Sequence, residues 1–122
     1  MRTAYAVLGW LLLAFGVMHI AATPSRFDAL TSGALWFVSG GVLMLLVASL
    51  NLLNRSYGAL APGIRRVAWA ANVVNVVLAI VSGIVGRSGI TGWIIVLCIL
   101  IPLTLLSAVP RAYGVGVPSS AA

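Results

Sequence analysis

Residues 29–54 read ALTSGALWFVSGGVLMLLVASLNLLN, a run of 26 residues between Asp28 and Arg55 that contains no charged side chain. A helix needs about 20 apolar residues to cross the ~30 Å hydrocarbon core of a bilayer. Inside hydrocarbon a backbone must satisfy its own polar groups, and a helix does so within one segment. The stretch therefore predicts a membrane-spanning helix at about residues 33–53.

The charged residues divide the rest of the chain into three more uncharged runs of similar length. Residues 3–25, 67–86 and 88–110 provide runs of 23, 20 and 23 residues. Pro24 and Pro110 lie near the ends of two of these runs and Pro62 precedes a third, where they favour turns. We therefore predict an all-α integral membrane four-helix bundle with short loops, a single domain over residues 1–122 with a flexible tail at 114–122. The predicted spans are about 3–22, 33–53, 67–86 and 90–109.

The composition supports a membrane protein and excludes several other classes. Hydrophobic residues make up 62% of the chain and charged residues 7%, whereas about a quarter of a soluble domain is charged. Cys98 is the only cysteine, which excludes an intramolecular disulfide and a cysteine-based metal cluster. The net charge of +6 comes from arginines spread along the chain, so we expect no nucleic-acid partner.

The arginines also predict an orientation. With four spans, the N-terminus, the second loop and the C-terminus share one side of the membrane. That side holds five arginines, namely Arg2, Arg55, Arg65, Arg66 and Arg111, against Arg26 and Arg87 on the other. The positive-inside rule predicts a multi-pass protein of the cell inner membrane with both termini cytoplasmic. A cleaved signal peptide over the first span is the alternative, and it would leave three spans.

The third predicted helix carries the most polar face of the chain. Asn72, Asn75 and Ser82 lie on one face of it at helical spacing. Each amide could bond to a neighbouring helix, for about 1 kcal/mol, or the face could bind a polar ligand or line an ion path. Because Asn75 is nearer the middle of the membrane than Asn72, we expect Asn75 to contribute more to the bundle.

His19 is the only histidine and Asp28 the only acidic residue. His19 closes the first span, and the loop that follows can bring Asp28 towards it. The imidazole could titrate, bind a quinone oxygen, or ligate haem or a metal. It could also bond to a nearby carbonyl or serine in a structural role. The candidate ligand-binding residues are therefore His19, Asp28, Asn72, Asn75 and Ser82. We predict no catalytic residue and no metal site, because no motif joins a nucleophile to a base.

The first half of the chain resembles a known group of proteins. The sequence Gly16-Val17-Met18-His19 closes the first span, Pro24 and a short amphipathic stretch follow, and Ser39-Gly40-Gly41 lies in the second span. This order resembles the DoxX-like and related small four-helix bacterial membrane proteins over roughly the first 50 residues. The resemblance implies a four-helix membrane fold and, as for some members, partnership with membrane redox enzymes.

Three functions are compatible with these observations. The first is a non-enzymatic membrane subunit or packing partner, which would contact the lipid bilayer and either a second copy or another membrane protein, with no cofactor. The second is a lipid- or quinone-binding redox accessory that uses His19, with quinone or haem as the cofactor. The third is a small transporter that uses the polar face of the third helix.

Overall fold

The computed structural model describes residues 1–85 and 90–113. These residues form five α-helices and one 3-10 turn, with no strand among them. The helices are α1 (Arg2–Ala21), α2 (Thr23–Arg26), α3 (Ser32–Tyr57), α4 (Pro62–Val85) and α5 (Ile90–Ala108), and the 3-10 turn is Pro110–Ala112. The all-helical prediction is thus confirmed for the described residues, whereas the predicted tail at 114–122 lies outside them.

Four of these helices match the four predicted spans. α1, α3, α4 and α5 are each long and apolar enough to cross a membrane. α3 continues past the predicted span to Tyr57, and α4 begins at Pro62, before the predicted start at residue 67. Arginine ends an apolar run but is a good helix former, so the helices continue through Arg55 and Arg65 beyond the apolar segments.

The four long helices pack in a ring in which neighbours along the chain are also neighbours in space. α1 packs on α3 and α5, and α4 packs between α3 and α5. One end of the bundle gathers the start of α1, the loop between α3 and α4, and the 3-10 turn. We call it the arginine end, because it carries Arg2, Arg55, Arg65, Arg66 and Arg111.

Two glycines let α1 and α3 approach each other closely. A Cβ atom added at Gly16 would lie 3.0 Å from the carbonyl oxygen of Gly41. A Cβ atom added at Gly41 would lie 2.5 Å from Cγ1 of Ile20 and 3.1 Å from the carbonyl oxygen of Gly16. The two backbones are therefore nearly in contact, the packing that small residues permit between helices in lipid.

A second close approach joins α4 to α5. The Trp93 indole Nε1 donates a hydrogen bond of 2.8 Å to the carbonyl oxygen of Ala79. A Cβ atom at Gly83 would overlap the Trp93 indole ring, so this ring fills the space that the glycine leaves. The contact fixes α5 against the far half of α4, away from the arginine end.

The outer surfaces of the long helices are apolar. In the most apolar window of each of these helices, only between 17% and 28% of the residues are buried. The exposed large apolar side chains of α4 and α5 include Val74, Val77, Leu78, Val81, Ile94, Ile95, Ile101 and Leu105. Burial inside the bundle therefore accounts for only a small part of its apolar surface.

Candidate functional site

Four buried polar side chains join three helices near the arginine end. They are Tyr5 of α1, Asn51 and Asn54 of α3, and Asn72 of α4, and none exposes more than 1% of its surface. We call this group the amide network. Buried polar groups are costly unless they are hydrogen-bonded, so their bonding partners decide what the group contributes.

The centre of the amide network is a reciprocal pair of side-chain amides. Asn51 Nδ2 donates to Asn72 Oδ1 at 2.7 Å, and Asn72 Nδ2 donates back to Asn51 Oδ1 at 2.9 Å. Asn51 Nδ2 also donates to the carbonyl oxygen of Val47, at 2.7 Å. The pair uses every polar atom of the Asn51 and Asn72 side chains and links α3 to α4.

Tyr5 extends the network from α3 to α1. Its hydroxyl donates to Asn51 Oδ1 at 2.7 Å and accepts a hydrogen bond of 2.8 Å from Asn54 Nδ2. Tyr5 reaches this position because it lies on the buried face of α1 with Gly9, Leu12 and Gly16. One phenol thus bridges two amides that are one helical turn apart on α3.

One amide atom of the network and one beside it differ from the others in bonding. Asn54 Oδ1 and Asn75 Nδ2 are buried without a hydrogen-bond partner among the described residues. The sequence predicted a larger contribution to the bundle from Asn75 than from Asn72, whereas the hydrogen bonds favour Asn72. Both polar atoms of the Asn72 side chain are bonded to Asn51, whereas Asn75 Nδ2 is an unpaired donor in the described core.

Tyr113 follows the 3-10 turn and lies at the arginine end of the bundle. It is buried, and its hydroxyl donates to the carbonyl oxygen of Ser107 at the end of α5. The guanidinium carbon of Arg65 lies 5.9 Å from the centre of the Tyr113 ring, within the range of a cation–π contact. Burial raises the pKa of Tyr113 above its usual value, and the nearby Arg65 charge partly offsets this effect.

His19 lies at the opposite end of the bundle in an aromatic environment. Its half-buried ring stacks on Phe37 with 3.7 Å between ring centres and 21° between planes, and Phe15 lies at 6.4 Å. Phe27 packs against Phe37 at 5.7 Å, and the Arg26 guanidinium carbon is 5.4 Å from the centre of the Phe37 ring. One face of the imidazole is therefore covered by a phenyl ring.

The five candidate residues do not form one site. The side chains packed against His19 are aromatic rings, and Asp28 is exposed in the connection between α2 and α3. Asn72 bonds to Asn51, Asn75 is buried beside it, and Ser82 is exposed at the far end of α4. The structure thus brings Asn72 into the amide network and leaves Asp28 and Ser82 outside it.

Tyr5, Asn51 and Asn54 were not among the candidate residues, although the sequence contains a signal for the two asparagines. Residues 51–54 read Asn-Leu-Leu-Asn, and residues 72–75 read Asn-Val-Val-Asn. Two antiparallel neighbouring helices that each place two asparagines one turn apart can align their amides. Tyr5 gives no comparable signal, because a tyrosine near a helix end is also typical of a membrane interface.

Comparison with known proteins adds no relative: no protein-family model, curated protein or solved structure matches the chain. Within residues 1–85 and 90–113, no cluster of three or more His, Cys, Asp or Glu side chains could hold a metal ion.

Proposed function

We propose that this chain is a non-enzymatic four-helix subunit of the bacterial inner membrane that acts by packing against a second copy or another membrane protein. The amide network is the observation that carries the proposal. Its central pair has every polar atom bonded within the bundle, so these amides support helix association rather than ligand binding. A bundle whose central amides are bonded internally is suited to a packing role.

The apolar outer surface supports the same proposal. Single exposed apolar residues are common in proteins, but a continuous apolar surface indicates contact with lipid or with other helices. One shallow groove on α5 is lined by Ile94, Leu97, Cys98, Ile101 and Pro102. Cys98 is exposed in this groove, so its thiol can be used to attach a cross-linker to this face of α5.

Topology is the first experiment. Single cysteines at the exposed positions Ser56 and Ser25, placed in a Cys98→Ala background, are labelled with an impermeant maleimide in intact cells and in inverted vesicles. The proposal expects Ser56→Cys to react only from the cytoplasmic side and Ser25→Cys only from the other. Labelling of both positions from one side would contradict the four-span arrangement.

Cross-linking tests the packing role itself. In native membranes, a benzophenone maleimide is attached to Cys98 or, in Cys98→Ala proteins, to single cysteines at Val17, Leu46 or Val77, which are exposed on α1, α3 and α4. Photo-cross-linking, which needs no cysteine on the partner, is then compared between the four positions. A packing subunit gives one discrete product from one face only, and the mass of that product separates a second copy from another protein. Products of equal yield from all faces, or no product from any face, would contradict the proposal.

A second candidate function is favoured by the surroundings of His19. Two phenylalanine rings lie beside the half-buried imidazole, and Phe27 and the Arg26 guanidinium group pack on one of them, Phe37. Such an aromatic environment suits a planar apolar ligand such as a quinone. The chain would then be a lipid- or quinone-binding redox accessory. Wild-type protein that retains quinone or haem through purification, with loss of it in His19→Gln, would support this function over the first.

Transport along α4 has less support from the geometry. The polar face predicted from Asn72, Asn75 and Ser82 is divided between a bonded amide, a buried amide and an exposed hydroxyl. A continuous polar path would need these groups to line one cavity.

A further inference from the structure

The arginine end concentrates positive charge without an acidic side chain to balance it. Five of the seven basic residues lie there, and the only acidic residue of the sequence, Asp28, lies beyond the far end of α1. Arg55 and Arg2 are in contact through a hydrogen bond, and Arg65 contacts Tyr113 next to Arg111. Cations gathered in this way favour an anionic ligand from outside the chain.

Two of these arginines are held in place by the protein. Arg55 Nε donates to the carbonyl oxygen of Arg2 at 3.3 Å. The Arg65 guanidinium group lies against the ring of Tyr113, which is itself bonded to Ser107. Both arginines are half-buried, so part of the entropy cost of ordering them is already met by the fold. In the described part of the chain their terminal nitrogens have no acceptor and can bind one.

The neighbouring surface indicates what else the ligand carries. Large apolar side chains are exposed next to the arginines, namely Tyr57, Leu60, Val67 and Trp69. A free anion would leave these side chains uncovered. A ligand with a phosphate group joined to acyl chains would satisfy the guanidinium groups and cover the apolar surface together.

We propose that the arginine end binds the phosphate of an anionic phospholipid headgroup, with Arg55 and Arg65 as its direct ligands. The planar guanidinium fork matches two phosphate oxygens at once. Arg2, Arg66 and Arg111 are exposed and add attraction towards an anionic leaflet. This inference rests on the proposed placement in the membrane and goes beyond it by naming a lipid class and two residues.

Native mass spectrometry of the full chain in mild detergent tests the proposal. Phosphatidylglycerol and phosphatidylcholine with identical acyl chains are added in turn, and the ratio of the bound lipids is measured. We expect the wild type to prefer phosphatidylglycerol, because the choline cation beside the phosphate of phosphatidylcholine is repelled by the arginines. Because each interfacial charge contributes about fivefold, the preference should fall about fivefold for each of Arg55→Gln and Arg65→Gln. The matched control, Arg26→Gln, removes an exposed arginine at the opposite end and should leave the preference unchanged.

Several results would overturn the proposal. The first is an equal affinity of the wild type for both lipids, and the second is an unchanged preference in a variant that carries both Arg55→Gln and Arg65→Gln. The third is a loss in Arg26→Gln as large as in Arg55→Gln. Displacement of phosphatidylglycerol by excess inorganic phosphate would show that the site binds the free anion instead. If the glutamine variants do not fold, Arg55→Lys and Arg65→Lys keep the charge but lose the planar fork, and a wild-type preference in them would exclude the bidentate guanidinium contact. The measurement uses solubilised protein, so its failure leaves the packing role standing.

Discussion

Asn51 and Asn72 exchange two hydrogen bonds across the interface between α3 and α4, at 2.7 and 2.9 Å. In an apolar interior, both amides would otherwise be unsatisfied, and an unpaired buried amide costs about 1–3 kcal/mol. The pair therefore favours the one alignment of α3 and α4 that brings these two residues opposite each other. Tyr5 then fixes α1 to the same point.

The first prediction compares two asparagines on the same face of α4. Asn72→Leu removes two hydrogen bonds and leaves Asn51 partly unpaired, so we expect a loss of about 1–3 kcal/mol in the free energy of unfolding. Asn75→Leu removes an amide whose nitrogen has no partner in the described structure, so we expect a smaller loss or a gain. Unfolding in mixed detergent micelles measures both, and a larger loss for Asn75→Leu would contradict the account.

The second prediction concerns the phenol that bridges α1 and α3. Tyr5→Phe removes the hydroxyl oxygen that accepts a hydrogen bond from Asn54 Nδ2. We therefore expect a loss of about 1–3 kcal/mol in the free energy of unfolding. Tyr57→Phe is the matched control, because Tyr57 is exposed, and it should change the stability by less than about 0.5 kcal/mol. Equal effects from the two variants, measured by the same unfolding assay, would show that the bridge contributes nothing.

Adjacent glycines on α3 provide a third prediction. A Cβ atom at Gly41 would press on Ile20 and on the backbone of Gly16, whereas one at Gly40 meets its nearest atom, His19 Nε2, at an ordinary 3.7 Å. Gly41→Ala should therefore destabilise the bundle by about 1–3 kcal/mol, and Gly40→Ala should have little effect. Thermal melting of the two proteins in one detergent is the test, and similar melting temperatures would argue against the close approach of α1 and α3.

The long helices could be predicted from the sequence because charge and apolar length directly report how much chain can remain in hydrocarbon. The exact ends of α3 and α4 could not be predicted, since Arg55 and Arg65 end the apolar segment without ending the helix. The polar face of α4 could be predicted from the sequence, but Asn51 of α3, which bonds to it, was not predicted. A spacing shows which residues share a face, whereas only the packed structure shows which face of α3 meets it.

The surroundings of His19 also depend on packing that residue spacing does not show. Its position at the end of the first span follows from the sequence, but the loop between α2 and α3 decides which side chains approach it. That loop leaves Asp28 exposed and allows Phe37 of α3 to stack on the imidazole. Loop conformation depends on contacts that no residue spacing reports.

The fourth prediction is a dependence on alkaline pH. Burial raises the pKa of Tyr113 in the folded protein, so the neutral phenol stabilises the fold fully below the unfolded pKa of about 10. This contribution is lost as the pH rises through the folded pKa. Wild-type protein should therefore lose more stability above about pH 10 than Tyr113→Phe. Both proteins contain Tyr5, so the difference between their unfolding curves isolates Tyr113, and parallel curves would exclude its role.

We conclude that the buried amides hold the helices together, and a double-mutant cycle on Asn51 and Asn72 tests this claim. The free energy of unfolding is measured for the wild type, Asn51→Leu, Asn72→Leu and the double variant in one detergent. Hydrogen bonds between membrane helices give coupling energies that average about 0.6 kcal/mol and reach about 1.7 kcal/mol. For this two-bond pair we predict a value in the upper half of that range, with the double variant less destabilised than the sum of the two single variants. Strictly additive losses would contradict the claim, because they would mean that the two amides do not stabilise each other.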